Sequence, residues 1–285
     1  MPEGDALVRI AVVGHVEHVV IAPVQRLPAA GEIVHLDDMV WIPGGGGGTA
    51  YFQLVRSPAE LHLFTALGND DAAAVVSERL HASGGHVHAV RRSLPHTRDM
   101  VLITPDGERT ILVMGEPLHP ELKDPLPWEL LRTCRAVYFT GQDPEVLRAA
   151  RAADLLVLTS RRADALVRSG VQADVVVGSS LDNKEASTLG DYPVPPKALI
   201  MTEGEKGGYI ETADGVKRFS APPSRGQPRG AYGAGDSFAG ALTWYLTSGL
   251  ALDDACARAA EHGAAVLRGI NPLEHQLPLD WPESS

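Results

Sequence analysis

From residue 136 onward the chain repeats one pattern, a short run of apolar residues followed by a stretch with helical spacing. Ala136-Val137-Tyr138-Phe139 precedes a helix from Pro144, Leu155-Leu156-Val157-Leu158 precedes a helix from Arg161, and Val175-Val176-Val177 comes next. A run that is apolar at every position buries both of its faces, and strands separated by helices pair in parallel. The pattern therefore predicts an α/β fold with a parallel sheet covered by helices. Another strand, Ala198-Leu199-Ile200-Met201, leads into a glycine-containing turn. Phe238, Ala241, Leu242, Tyr245 and Leu246 then recur at helical spacing up to Gly249, and a second helix runs from Leu252 or Asp253 to about Leu267.

The front of the chain reads differently. Val8-Arg9-Ile10-Ala11-Val12-Val13 stops at Gly14, as a buried strand ending in a turn does. Val19 to Trp41 alternates loosely between breaks at Pro23, Pro28 and Gly31. The β-rich runs Val101 to Thr104 and Thr110 to Val113 flank Pro105-Asp106-Gly107-Glu108, a hairpin signal. These segments, about 16–42 and 87–115, predict a small β-sheet lid on the core. With 285 residues, 44% of them hydrophobic, no repeat of fixed period and no linker, the chain reads as one domain, 1–285.

Twenty-five basic against 36 acidic residues leave a formal net charge of −11, so nucleic acid is not an expected partner. The apolar stretch Ile10 to Val13 falls far short of the roughly 18 residues of a membrane span, and Met1-Pro2-Glu3-Gly4-Asp5 is an acidic start. Cys134 and Cys256 lie far apart without metal-ligand spacing, and a reducing cytoplasm is the expected location. His15, His18 and His35 fit no standard metal motif and are expected as surface or lid histidines. The basic pairs Arg161-Arg162 and Arg91-Arg92 are expected to be solvated.

The chemistry concentrates in three glycine-containing turns, none with the Walker A spacing. Gly44 to Gly48, followed by Thr49-Ala50-Tyr51-Phe52-Gln53-Leu54, reads as a helix opening that a ligand can approach closely, or as a low-complexity loop. Its degenerate G-x-G-x-x-A also admits a weak dinucleotide reading. Gly233-Ala234-Gly235-Asp236 heads the helix that starts near Ser237. Converging N–H groups and the helix dipole would make an anion hole beside one carboxylate, which is what hydroxyl-to-phosphate transfer requires. Asp236 also reads as a plain N-cap. Thr202-Glu203-Gly204-Glu205-Lys206-Gly207 follows a strand, where a nucleotide could lie across the carboxyl ends of a parallel sheet, or where a simple hairpin turn could stand.

Taken in order, these features resemble the PfkB, ribokinase-like family of carbohydrate kinases. The resemblance covers nearly the whole chain. It runs from the strand ending at Gly14 through Arg26-Leu27-Pro28-Ala29-Ala30-Gly31-Glu32 at the family's "lP..GE" position, the glycine run and Gly68-Asn69-Asp70. It continues through Asp106-Gly107-Glu108-Arg109-Thr110, similar to the "GeRt" hairpin, to the turns at 202–207 and 233–236. It implies a three-layer ribokinase-like fold with a central, mainly parallel sheet and a small β lid. ATP and Mg²⁺ as cofactors, a small sugar or sugar-like substrate and a homodimer through the lid are implied as well. The resemblance casts Asp236 as catalytic base, with Gly233, Ala234 and Gly235 as the anion hole. It places Thr202, Gly204 and Gly207 in the ATP-binding turn, and Gly44, Gly45 and Gly47 in the sugar-contacting loop. Glu185 takes the glutamate position of the N-x-x-E motif that influences Mg²⁺ and phosphate placement, with Asp182 at its first position.

The chain also departs from the family pattern. Gly230, after Arg229, replaces an acidic residue six positions before Asp236, and Ala231 and Tyr232 replace threonine-like residues. Glu17-His18-Val19 stands for the sugar-binding N-x-D, with Glu17 as a shifted carboxylate and His18 beside it, and Gln142 stands for a substrate-side glutamate. Gly46 replaces the usual lysine of the glycine loop. These departures imply a substrate other than plain ribose, or a poorly active enzyme, and leave monovalent-cation activation open. Two further readings stay open, a catalytically degenerate nucleotide- or sugar-binding sensor and a Rossmann-type NAD(P) oxidoreductase.

Overall fold

The structure, a computed structural model, describes residues 8–223, 226 and 228–282; the acidic start Met1 to Asp5 lies outside them. The strands in chain order are β1 (Arg9–Gly14), β2 (Glu17–Pro23), β3 (Val40–Gly44), β4 (Glu60–Leu67), β5 (His86–Arg91), β6 (Arg98–Ile103), β7 (Arg109–Met114), β8 (Ala136–Thr140), β9 (Leu155–Thr159), β10 (Val175–Ser179), β11 (Ala198–Thr202), β12 (Gly208–Thr212) and β13 (Gly215–Phe219). The helices are α1 (Gly45–Leu54), α2 (Asp71–His81), α3 (Pro144–Ala150), α4 (Ala163–Ser169), α5 (Ala234–Thr247), α6 (Leu252–Val266) and α7 (Pro272–His275).

Nine strands form one sheet in the order β13-β12-β11-β10-β9-β8-β1-β4-β5, and four form a second, β3-β2-β6-β7. In the large sheet every pairing from β11 to β5 is parallel; only β11-β12 and β12-β13 run antiparallel. All five residues of β8 are buried, as an all-apolar central strand requires. One face packs on α1, α2, α5 and α6 around Trp244, Tyr51 and Leu242. The other packs on α3, α4 and the short turn Trp128–Thr133. These layers are the ribokinase-like α/β arrangement. Among the described residues no helix is long and apolar enough to cross a membrane.

Two boundaries differ from the sequence reading. Residues 87–91, assigned to the lid, belong to β5, which pairs with β4 at the edge of the large sheet. His86-Val87-His88-Ala89-Val90 alternates as any half-covered strand does, so periodicity could not tell the two sheets apart. The helix expected from Arg161 opens as a 3₁₀ turn, Ser160–Arg162, before α4 begins.

The small sheet lies over the carboxyl ends of the large one. Its period-two alternation buries Glu17, Val19 and Ile21 of β2 together with Asp99, Val101 and Ile103 of β6. The apolar members, with Ile42, pack on Tyr232 and Leu273. At the outer edge, β7 leaves Ile111, Leu112, Val113 and Met114 between 41% and 52% exposed. Strand order reverses between β1 and β8, where Gly14 pairs with Thr140, and in an open α/β sheet such a switch point is where a ligand crevice is expected, here beneath the small sheet.

Candidate active site

The glycine run is the first turn of α1, although each glycine costs a helix about 1 kcal/mol relative to alanine. Close backbone approach explains the choice. A Cβ on Gly47 would stand 2.5 Å from the His15 carbonyl oxygen, and the Gly47 N–H donates to that same oxygen at 3.1 Å. The Gly45 N–H donates to the Tyr232 hydroxyl at 2.9 Å and the Gly46 N–H to His15 Nε2 at 3.3 Å. The run is therefore not a low-complexity loop. It also follows β3 of the small sheet instead of a parallel strand of the large one, so the dinucleotide fingerprint has no strand–turn–helix to sit on.

Asp236 lies in the first turn of α5, whose N-cap is Gly233 at φ 78° with no capping side chain. The helix starts three residues earlier than its apolar spacing suggests, and Asp236 is not its cap. The first intrahelical bond runs from the Ser237 N–H to the Gly233 carbonyl. The amides of Ala234, Gly235 and Asp236 thus have no intrahelical acceptor and stand at the positive end of the helix dipole. Apart from its chain neighbours and its own helix backbone, no atom of the described residues lies within 4 Å of where a Gly235 Cβ would stand. Across the crevice, the Cβ position of Gly46 is 3.2 Å from Asp236 Oδ1, 3.0 Å from Thr140 Oγ1 and 3.5 Å from His15 Cε1. Four separate elements meet at that point. Burial and the nearby Glu185 charge raise the Asp236 carboxyl to about 6, against the pull of Arg109, Arg161 and Arg162.

Glu17 and Asp99 face each other under the small sheet. Burial raises both, and for Glu17 the charge of Asp99 and the hydrogen bond between them add to the effect. Beside them His15 is buried at the end of β1, with Nε2 3.8 Å from Glu17 Oε1. Burial and the Arg162 charge pull its imidazole down to about 3, so it is neutral. The Arg162 guanidinium donates to the Thr140 carbonyl at 2.9 Å and lies 3.4 Å from His15 Nδ1. His119 packs on His15 at 5.0 Å between ring centroids. Both His119 ring nitrogens and Asp99 Oδ1 are buried without a partner among the described residues, and orphaned polar atoms of this kind in a crevice are where a hydroxyl-rich ligand gains hydrogen bonds.

The raised Glu17 pKa has a consequence for stability. Folding favours the protonated acid, so its contribution is complete below the unfolded carboxylate pKa and declines as pH rises toward the folded value. Glu17→Gln, neutral at every pH, is expected to melt above the parent at about pH 8, with the difference closing near pH 4. Parallel melting curves for the two proteins across that range would refute the coupling.

On the nucleotide side, Glu185 Oε2 accepts from the Ser179 N–H at 3.1 Å, and Arg161 bridges Glu185, at 2.7 Å, and Asp182. Thr202 ends β11 and donates from Oγ1 to the Gly178 carbonyl at 3.2 Å. Gly204 and Gly207 frame a single 3₁₀ turn before β12. The turn is a hairpin and also sits at the carboxyl end of a parallel strand, so both readings of it describe one geometry. Hard oxygen donors with unused lone pairs, Asp182 and Glu185, fit a Mg²⁺ ion that keeps most of its water.

Some expected residues lie elsewhere. Alternation along β2 turns His18 away from Glu17, and its ring stacks on Trp41 at 5.0 Å on the outer face. Gln142 is exposed past the end of β8, where its carbonyl accepts from Arg168. His35 is exposed. In contrast His15, expected on the surface or lid, is buried at the switch point; Arg162 is engaged beside it instead of solvated, while Arg161 stays exposed as expected but is ion-paired with Asp182 and Glu185. Asp99, His119, Thr140, Arg162 and Tyr232 were not foreseen as site residues. Thr140 and Arg162 carried one usable signal, their place just at or after the end of a parallel strand.

The family model described as pfkB family carbohydrate kinase matches residues 8–168 and 173–274. A ribokinase of Lactococcus lactis subsp. lactis (strain IL1403) is 24% identical over 265 residues, 87% of each chain. The adenosine kinase of Sinorhizobium meliloti superposes with a TM-score of 0.77 at 18% identity, over 93% of this chain and 95% of its own. Arabidopsis thaliana ribokinase, solved in complex with ribose and ATP, gives 0.72 at 17% identity, over 95% and 96%. With its layers, its small sheet and its two matched segments together spanning most of the sequence, the chain belongs to the pfkB family of carbohydrate kinases.

Proposed function

We propose that this protein is an ATP-dependent, Mg²⁺-requiring kinase that transfers the γ-phosphoryl group to a hydroxyl of a small sugar or sugar-like molecule, nucleosides included. The observation that carries the reading is Asp236, a carboxylate beside free helix-terminal amides, with its pKa raised to about 6. A base tuned close to neutral pH accepts a proton in the transition state and is still ionised beforehand. The acceptor lies between Gly46 and the Glu17–Asp99 pair, hydrogen-bonded by His119, Asp99 and Thr140. Its hydroxyl proton passes to Asp236 as its oxygen bonds to the γ-phosphorus and the bond to the β-phosphate oxygen breaks, releasing ADP. The amides of Ala234, Gly235 and Asp236 hold the charge on the transferring group. Mg²⁺ held near Asp182 and Glu185 would supply charge neutralisation on the phosphates.

The neutral imidazoles of His15 and His119, Arg162 and the absence of a carboxylate at Val19 favour an acceptor that differs from ribose in its polar groups. Buried, well-separated Cys134 and Cys256 suit a reducing cytoplasm. The apolar strip on β7 suits a second copy of the chain, giving a dimer through the lid. Release of ADP measured against a panel of pentoses, hexoses and nucleosides is expected to rise with at least one of them. ADP release that no compound stimulates would overturn the kinase reading in favour of a binding protein.

A further inference from the structure

Three of the chain's 11 histidines gather away from the crevice, at the amino ends of β4 and β5. The parallel register sets His62 opposite His86, with Glu60 two residues before on β4 and His88 two residues after on β5, all on one face of the sheet. The His62 ring stacks on His86 at 4.8 Å and on His88 at 5.2 Å. One donor atom from each of Glu60, His62 and His86 lies within 4.8 Å of the other two. Arg9 donates to both Glu60 oxygens, at 2.9 and 3.1 Å, and so holds the carboxylate in place.

We propose that Glu60, His62 and His86 bind a divalent transition-metal ion of the zinc class, bridging the edge strand β5 to β4. Two imidazoles and one carboxylate are a zinc-type donor set, with a fourth position left to water. The lack of thiolates disfavours copper(I), and the nitrogen donors disfavour Mg²⁺ and Ca²⁺. Bond lengths of about 2.0–2.2 Å in tetrahedral geometry set donors about 3.4 Å apart, so the His62–Glu60 contact at 2.7 Å must open while His86 draws in. The exposed His86 side chain can supply that movement by rotation.

The surrounding hydrogen bonds already fit this role. His62 Nε2 is 2.7 Å from Glu60 Oε1, and His62 Nδ1 is 2.9 Å from His88 Nε2. Without metal, Nε2–H donates to Glu60 while Nδ1 accepts from His88. With metal on Nε2, the proton sits on Nδ1 and donates to His88, whose own proton moves to its other nitrogen. The proton count is unchanged. His88 is thereby a positioning residue that orients a ligand without touching the ion.

The test is independent of the kinase reading. Protein stripped with EDTA and then freed of chelator is titrated with ZnCl₂ by calorimetry and followed by thermal melting, with MgCl₂ as control. One Zn²⁺ per chain is expected, with a rise in Tm of roughly 5 °C at a hundredfold excess over Kd. His86→Ala should remove that binding and leave ADP release unchanged, and His88→Ala should weaken it by about 10- to 100-fold. His62→Gln is a second ligand variant; His86, being exposed, can be changed with little risk to folding. Absence of stoichiometric Zn²⁺ binding, or equal binding by the parent and His86→Ala, would overturn the proposal.

Discussion

Asp236→Asn is expected to lower kcat by at least about 10²-fold while ATP affinity stays within about twofold. The amide matches the carboxylate in shape and keeps α5 and its free amides in place, so the anion hole survives. What it cannot do is accept the acceptor's proton. The raised pKa adds a second readout. In the parent, kcat/KM should fall about tenfold per pH unit below pH 6, because protonated Asp236 is no base. The variant's residual activity should lack that acid limb. Near-normal turnover, or an unchanged limb, would remove Asp236 from the mechanism.

Gly46→Val is expected to reduce kcat/KM by roughly 10²-fold or more, with Tm little changed. A Cβ at this position stands 3.0 Å from Thr140 Oγ1 and 3.2 Å from Asp236 Oδ1, and the two methyl groups that valine adds beyond it would crowd these oxygens further. Gly46 has helical backbone without positive φ, and valine has a somewhat better helix propensity than glycine. Stability and activity should therefore separate. Activity retained in a folded variant would place the acceptor elsewhere; a collapse in Tm would show that the position serves packing.

Much of the scaffold was legible because its physics is local. All-apolar runs such as Ala136 to Phe139 can only be doubly buried strands or buried helix, and the helices between them settle the choice. Asp236 was legible because glycines before an amphipathic helix leave amides free. The proposed acceptor pocket was not, because long-range register builds it. Asp99 is one inward residue of an ordinary alternating strand, and nothing near it in sequence announces Glu17; only the pairing of β2 with β6 makes them a couple. His15 and Arg162 meet because β1, β8 and β9 are adjacent in the sheet. Tyr232 read as the loss of a threonine, whereas its hydroxyl serves the Gly45 amide across 187 positions of sequence separation. His18 failed for a simpler reason, since one step along a strand reverses the face.

The connections between the two sheets carry a mechanical consequence. β1 ends at Gly14 and β2 starts at Glu17, while β3 ends at Gly44 and α1 starts at Gly45. Both joints are almost without slack, and their residues are the ones that line the pocket. The other two connections, 92–97 before β6 and 115–127 after β7, are longer, so a tilt of the upper sheet would turn most sharply about His15 and Gly45, beside the proposed pocket. An acceptor of the wrong bulk would hold the upper sheet ajar at its own binding point, and one of the right bulk would let it settle with Gly46 against Asp236. On the proposed function, the size of the guest would thereby be converted into the alignment of Asp236.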